Sequence, residues 1–274
     1  MGSTIKSCNI NKSASFFGAL FFAIAFASGE VSAETLSIHP VTVELGFSVT
    51  RFNYTEFSDA GATLDKELGG LPGLSLKAVR RTSLWEWEGN ASYDLGSVDY
   101  TGQDSAGAPY NTITDEEVGD FSLKLGRWLD DGSTFQPYIG LGHHLWNRNI
   151  RSASLAGLFE SYNWQYVLLG AKIITYRQST SDLKLDISLI RPVNPSMYVA
   201  AYDATLHLES RNGLRLMLTA HSKLTENTTI ILEPYYEYWQ LGRSPSIIAG
   251  KYTVYEPASK TKNVGVNLRF GKLF

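Results

Sequence analysis

The stretch NVGVNLRFGKLF, residues 263–274, decides how the rest of the chain is read. Val264, Val266, Leu268, Phe270 and Phe274 share one parity, while Asn263, Gly265, Asn267, Arg269 and Gly271 share the other. A period of two belongs to an extended strand with two unlike faces. The sequence stops on an aromatic residue, and such a strand needs a neighbour on each edge.

The same alternation recurs upstream. VTVELGFSV (41–49) sets Val41, Val43, Leu45, Phe47 and Val49 against Thr42, Glu44, Gly46 and Ser48, and WEWEGNASYD (85–94) sets Trp85, Trp87, Gly89, Ala91 and Tyr93 against Glu86, Glu88, Asn90, Ser92 and Asp94. DFSLKL (120–125), DLKLDISL (182–189), GLRLML (213–218) and TIILEPYYEYWQ (229–240) follow the pattern, as do GLSLKAVR (73–80) and FQPYIGLGHHLW (135–146). YNWQYVLLGAKII (162–174) is extended, but either of its parities could be the apolar one.

Connections of two sizes alternate along the chain. Short polar turns are expected near Arg81-Thr82-Ser83, DDGST, RQSTSD and TENTT, and longer loops near residues 55–70, 101–117, 151–161, 191–206 and 242–258. This gives about ten strands, with eight to twelve as the range.

The first residues carry Lys6 and Lys12, an apolar run from Phe16 to about Ala27, then Val31-Ser32-Ala33. A basic segment, an apolar segment and a small-x-small site are the parts of a cleaved secretory signal peptide, here 1–33, which leaves 34–274 as one domain. The run is too short to cross a bilayer as a helix. Cleavage would also remove Cys8, the only cysteine, so a disulfide or thiolate metal site is not expected in the mature chain. A formal charge of −3 gives no footprint for nucleic acid.

Together these features predict an all-β fold, a single antiparallel up-and-down transmembrane barrel in the outer membrane of a Gram-negative cell, in contact with outer-membrane lipid. A lipid-spanning sheet must close on itself, because an open edge would leave unpaired backbone groups in hydrocarbon. A soluble antiparallel barrel or sandwich would alternate in the same way with its apolar face inward. Charges on the polar parity, Tyr and Trp near strand ends, and long loops on one side favour lipid outside.

The ending resembles the C-terminal signature of Gram-negative outer-membrane proteins, carried here by Val264, Val266, Leu268, Phe270 and Phe274. The resemblance implies that this strand is read by the barrel assembly machinery. Through its pattern, 34–274 is similar to the small outer-membrane barrels, such as the transmembrane domain of OmpA, OmpX and the opacity-type proteins. In length and strand number it also resembles the omptin proteases, but it lacks the Asp-x-His pair of that family.

With the apolar parity facing lipid, the lumen receives Glu44, Glu86, Glu88, Asp94, Asp120, Asp186, Glu233 and Glu237 together with Lys77, Arg81, Lys124, Lys184, Arg215 and Arg269. A barrel of about eight strands is filled by side chains and open channels appear near sixteen. The expectation is therefore an ion-pair network that plugs the lumen, with Glu86 and Glu88 opposite groups such as Lys124 or Arg81. The alternative is a narrow pore for small solutes.

Motifs for chemistry are sparse. His143-His144 and His221-Ser222 each place neighbours on opposite faces of a strand, so neither pair can act on one centre; an interfacial place in an aromatic belt is the leading expectation for His143-His144, with one of the two facing the lumen near glutamates as the alternative. Asp99, Asp104 and Asp115 near the outer rim have no histidine at a matching spacing. There is no Walker loop and no HExxH. No catalytic residue, cofactor or metal is assigned, and a surface hydrolase stays a second alternative. The leading expectation is a non-enzymatic barrel whose loops GGLPGL, GQDSAGAPYNTITDEE, RPVNPSMYVAAYD and GRSPSIIAGKYTVYEP meet an unidentified surface ligand in adhesion or envelope contact.

Overall fold

The computed structural model describes residues 40–103, 107–129, 134–151 and 158–274. The expected signal peptide, Cys8, Asp104 and most of the DDGST turn lie outside the described residues.

Fourteen strands follow in order: β1 (Val41–Phe57), β2 (Thr63–Arg81), β3 (Trp85–Gln103), β4 (Pro109–Arg127), β5 (Phe135–Ile150), β6 (Leu158–Arg177), β7 (Ser181–Val199), β8 (Ala204–His207), β9 (Glu209–Ser210), β10 (Gly213–Lys223), β11 (Thr228–Gly242), β12 (Ile247–Ala249), β13 (Tyr252–Val254) and β14 (Ala258–Leu273). Strands β1–β7, β10, β11 and β14 form a closed antiparallel barrel of 10 strands. Closure comes from β14 pairing with β1 along Thr42↔Leu273 to Phe57↔Ala258, and from β7 pairing with β10. The Phe274 amide donates to the Val41 carbonyl at 3.0 Å and the Val41 amide returns the bond at 3.2 Å. The strand that ends the sequence thus has a partner on both edges.

The exterior carries the apolar parity as a continuous belt. Leu45, Phe47 and Val49 on β1 lie beside Leu74 on β2 and Val266, Leu268 and Phe270 on β14, and Leu123, Leu141, Val167 and Leu189 continue the ring, all of them exposed. A sheet that leaves this much contiguous apolar surface uncovered is built for a lipid surround.

Toward one end the rule reverses within the same strands. Beyond Val49, β1 turns Arg51, Asn53 and Thr55 outward and buries Phe52 and Tyr54 inside, and β5 similarly puts Asn147 and Asn149 outside with Trp146 within. Above the belt the barrel wall faces water on its outside, so the apolar side chains move to the inside. The strands therefore run well past the membrane. Much of the expected loop material is strand: residues 58–62 alone connect β1 to β2, GGLPGL lies within β2, and most of RPVNPSMYV lies within β7. The expectation of long loops assumed that loss of the apolar outer parity ends a strand. It marks the membrane boundary instead.

In β6 both parities are apolar for this reason. Val167 and Leu169 face lipid, whereas Tyr162, Trp164, Tyr166 and Leu168 face the lumen. On β7, Asn194 at φ 48° makes a bulge opposite Asn163–Gln165, after which Pro195, Met197 and Val199 continue the inward face.

Candidate functional site: the lumen and its outer mouth

Every charged lumen residue expected from sequence lines the interior. At the end that carries the short turns, Lys77 Nζ meets Glu233 Oε2 at 2.8 Å, Arg269 bridges Glu233 at 2.7 Å and Glu44 at 3.0 Å, and Thr219 donates to Glu233 at 2.9 Å. A second group joins Lys172 to Glu86 at 2.7 Å and Glu88 at 2.5 Å, and Lys124 to Glu88 and Asp186, both at 3.2 Å. Lys124 thus pairs with Glu88 as the alternation suggested. Arg81 instead lays its guanidinium over the Trp128 ring at 4.7 Å, and Glu86 is met by Lys172. Lys172 was not foreseen because it sits on the segment whose parity the sequence left open.

Higher in the lumen, Arg215 pairs with Glu237 and reaches Asp120 at 3.4 Å, while Asp94 accepts from Ser48 at 2.5 Å. His144 points inward, 3.0 Å from Asp120 and stacked on Trp164 at 4.2 Å between ring centroids. An interfacial place was the leading expectation and a lumen-facing histidine the alternative; His144 takes the alternative. The inward parity of β5 gives His144 to the lumen, and His143 takes the opposite face. At the other end His221 lies 2.9 Å from Asp182 and 3.1 Å from Lys184.

Among the described residues, cavities open between these layers. A polar cavity of about 100 Å³ lies at mid-height among Ser48, Asp94, His144, Arg215 and Asn263, room for roughly three waters. A vestibule of about 440 Å³ occupies the short-turn end, lined by Lys77, Glu86, Lys172, Lys184 and His221.

Three tyrosine rings cross this interior over glycines of adjacent strands, in the register pairs Gly142↔Tyr166, Tyr138↔Gly170 and Tyr235↔Gly265. A Cβ at Gly142 would stand 2.1 Å from the Tyr166 ring and one at Gly170 would stand 2.5 Å from Tyr138. Glycine at these places lets a tyrosine ring lie flat against the neighbouring strand on the inner face of the wall.

Above the mid-lumen cavity Phe52, Tyr54, Trp146, Tyr162, Trp164, Tyr166 and Trp239 pack together as an aromatic layer. On top of it Arg148, 1% exposed, donates to Glu56 and Glu67 at 2.8 Å each and to Glu160 at 3.0 Å, with Asp65 at 3.5 Å. The sequence pointed to neither Arg148 nor its partners, since they fell in or beside segments expected to be loops.

The segment between β11 and β14 reaches over this mouth. The β12–β13 hairpin packs Ile247 and Val254 against the buried apolar cluster to which this layer belongs, and Glu256 accepts from the Tyr162 hydroxyl at 2.6 Å. Ser244 and Glu256 lock the hairpin base through two bonds, and Arg243 reaches Asp59 of the β1–β2 turn at 3.4 Å. Burial, with Glu56 and Glu160 close by, pushes the Glu256 carboxyl well above the usual value of 4.5. Among the described residues no group of three or more His, Cys, Asp or Glu is arranged to hold a metal ion.

No protein family and no curated protein matches the chain. Among solved structures it is similar to the outer membrane protease OmpT of Escherichia coli, at 12% identity with a TM-score of 0.56, over 90% of this chain and all of that one. Weaker likenesses are to OprG of Pseudomonas aeruginosa (17% identity, TM-score 0.43, covering 86% and 96%) and to the translocator domain of the autotransporter NalP of Neisseria meningitidis (11%, 0.39, covering 94% and 95%). The closed barrel, its apolar belt and the first of these likenesses give the chain the fold of a small outer-membrane β-barrel protein.

Proposed function

We propose that this chain is a non-enzymatic integral outer-membrane protein, exported with a cleaved signal peptide, whose plugged barrel carries a contact surface on its outer rim. The observation that supports it is the succession of filled layers across the lumen: the Lys77–Glu233–Arg269–Glu44 chain, the Arg215–Glu237 and Asp120–His144 group, the aromatic layer and the Arg148 cage. Assembly would proceed through the β14 strand, with Val264, Val266, Leu268, Phe270 and Phe274 as the segment presented to the barrel assembly machinery. The His144–Asp120 pair sits beneath the aromatic layer, a poor place to meet a polymer substrate.

The contact surface is the tip of the β12–β13 hairpin, where Ile248 is 82% exposed and Tyr252, beside Tyr202, is 51% exposed. Exposed apolar and aromatic groups on a braced hairpin suit adhesion. Cells displaying the Ile248→Ser/Tyr252→Ser protein should attach less to hydrophobic and glycan-coated surfaces than cells displaying the parent. Equal attachment at equal display would contradict the rim reading. A narrow pore is the second reading, favoured by the vestibule at the short-turn end.

A further inference from the structure

The outer wall just above the lipid belt is not evenly charged. On β14, β1 and β2 the outward positions carry Lys260, Lys262, Arg51 and Lys66. The register sets them side by side: Thr55 pairs with Lys260 on one flank and Lys66 on the other, and Arg51 lies opposite Val264, one outward position below Lys262. With strands about 4.8 Å apart, the Cα atoms of Lys260 and Lys66 are roughly 10 Å apart, within reach of one headgroup.

None of the four cations forms an ion pair with a carboxylate among the described residues, and Lys260 is occupied only in lying 5.0 Å from the Phe57 ring. The outward positions of β11, β14, β1 and β2 above the belt hold no carboxylate. The adjoining β3–β4 wall does the opposite, with Asp99, Asp115 and Glu117 outward; there Arg151, just beyond β5, answers Asp115 at 2.6 Å. An evenly solvated rim would mix the signs.

Depth fixes the partner. Arg51 follows lipid-facing Val49 by one outward step, and Lys262 follows Val264 in the same way, so the patch begins where the hydrocarbon ends. Tyr238 on β11 pairs with Lys262, and Tyr236 lies opposite Val264, both half-buried on the outward face. Tyrosine at this level offers a ring to sugar and a hydroxyl to water.

We propose that the β11–β14–β1–β2 wall is a binding site for a phosphorylated glycolipid of the outer leaflet, with Arg51, Lys66, Lys260 and Lys262 on its phosphates and Tyr236 and Tyr238 against its sugars. This rests on the outer-membrane location and is independent of the plugged lumen. Clustered cations at a membrane surface each add to the attraction for an anionic headgroup, and the Arg fork suits phosphate.

The test is native mass spectrometry of the folded barrel in detergent with bis-phosphorylated lipid A, the dephosphorylated form, phosphatidylglycerol or inorganic phosphate as probe. The parent should retain the bis-phosphorylated glycolipid. An Arg51→Gln/Lys66→Gln/Lys260→Gln/Lys262→Gln variant, shown folded by heat-dependent gel migration, should bind at least about tenfold more weakly. A charge-keeping Arg51→Lys/Lys260→Arg/Lys262→Arg variant should retain the lipid, as should an Arg191→Gln control on the far wall. Undiminished binding by the glutamine variant would overturn the site. Equal retention of the dephosphorylated form or of phosphatidylglycerol, or full displacement by inorganic phosphate, would overturn the headgroup assignment.

Discussion

Lys172 on β6 holds two carboxylates of β3 at once, Glu86 at 2.7 Å and Glu88 at 2.5 Å. Side chains two apart on a strand point the same way, so one ammonium from across the lumen can serve both. Removing it leaves Glu86 with no ion-pair partner among the contacts described, while Glu88 keeps Lys124. Lys172→Met should therefore lower the unfolding free energy by about 3 kcal/mol in urea titration of the refolded barrel. Adding Glu86→Gln and Glu88→Gln should recover much of the loss. A single variant as stable as the parent would show that the network does not hold the wall together.

The Gly142–Tyr166 pair predicts a steric effect with no electrostatic part. A valine at 142 would drive its Cβ into the Tyr166 ring, whose hydroxyl is tied to Asp120 at 2.7 Å, so the ring cannot swing away freely. Gly142→Val should cost about 1–3 kcal/mol by overpacking. Gly142→Val combined with Tyr166→Ala should be less damaging than the sum of the two separate changes.

The hairpin over the mouth should loosen as pH rises. Between the usual glutamate value of 4.5 and its raised folded value, Glu256 holds a proton in the folded chain that the unfolded chain has released. Its contribution is then full below 4.5 and is lost as pH rises through the folded value. The groups facing it are Glu56, Glu160, Arg148, Tyr54 and Tyr162. Amide protection factors across 244–257, corrected for intrinsic rate, should fall with rising pH in the parent and change little in Glu256→Gln. Parallel profiles would assign the hairpin's hold to Ile247 and Val254 alone.

The sequence disclosed the barrel because lipid-facing positions must be apolar over several residues, and β1, β3 and β14 show this plainly. It disclosed most of the lumen charges for the same reason, as the opposite parity. What it hid lies above the membrane, where the wall inverts: Phe52 and Tyr54 in β1 and Trp146 in β5 are inward, so their apolar parity is out of phase with Val49 and Leu141 in the same strands. A pattern search takes that change of phase for the end of a strand. Arg148, Glu67 and Glu160 were lost with it, and Lys172 was lost because β6 is apolar on both faces.

Whether side chains close the lumen can be read from planar-bilayer recording of the refolded barrel, once heat-dependent gel migration has verified the fold. The parent barrel should stay silent under voltage and at any salt concentration. A stable unitary conductance that shifts when Glu86 and Glu88 are changed to glutamine would contradict a closed lumen, and would make the charged vestibule the mouth of a pore.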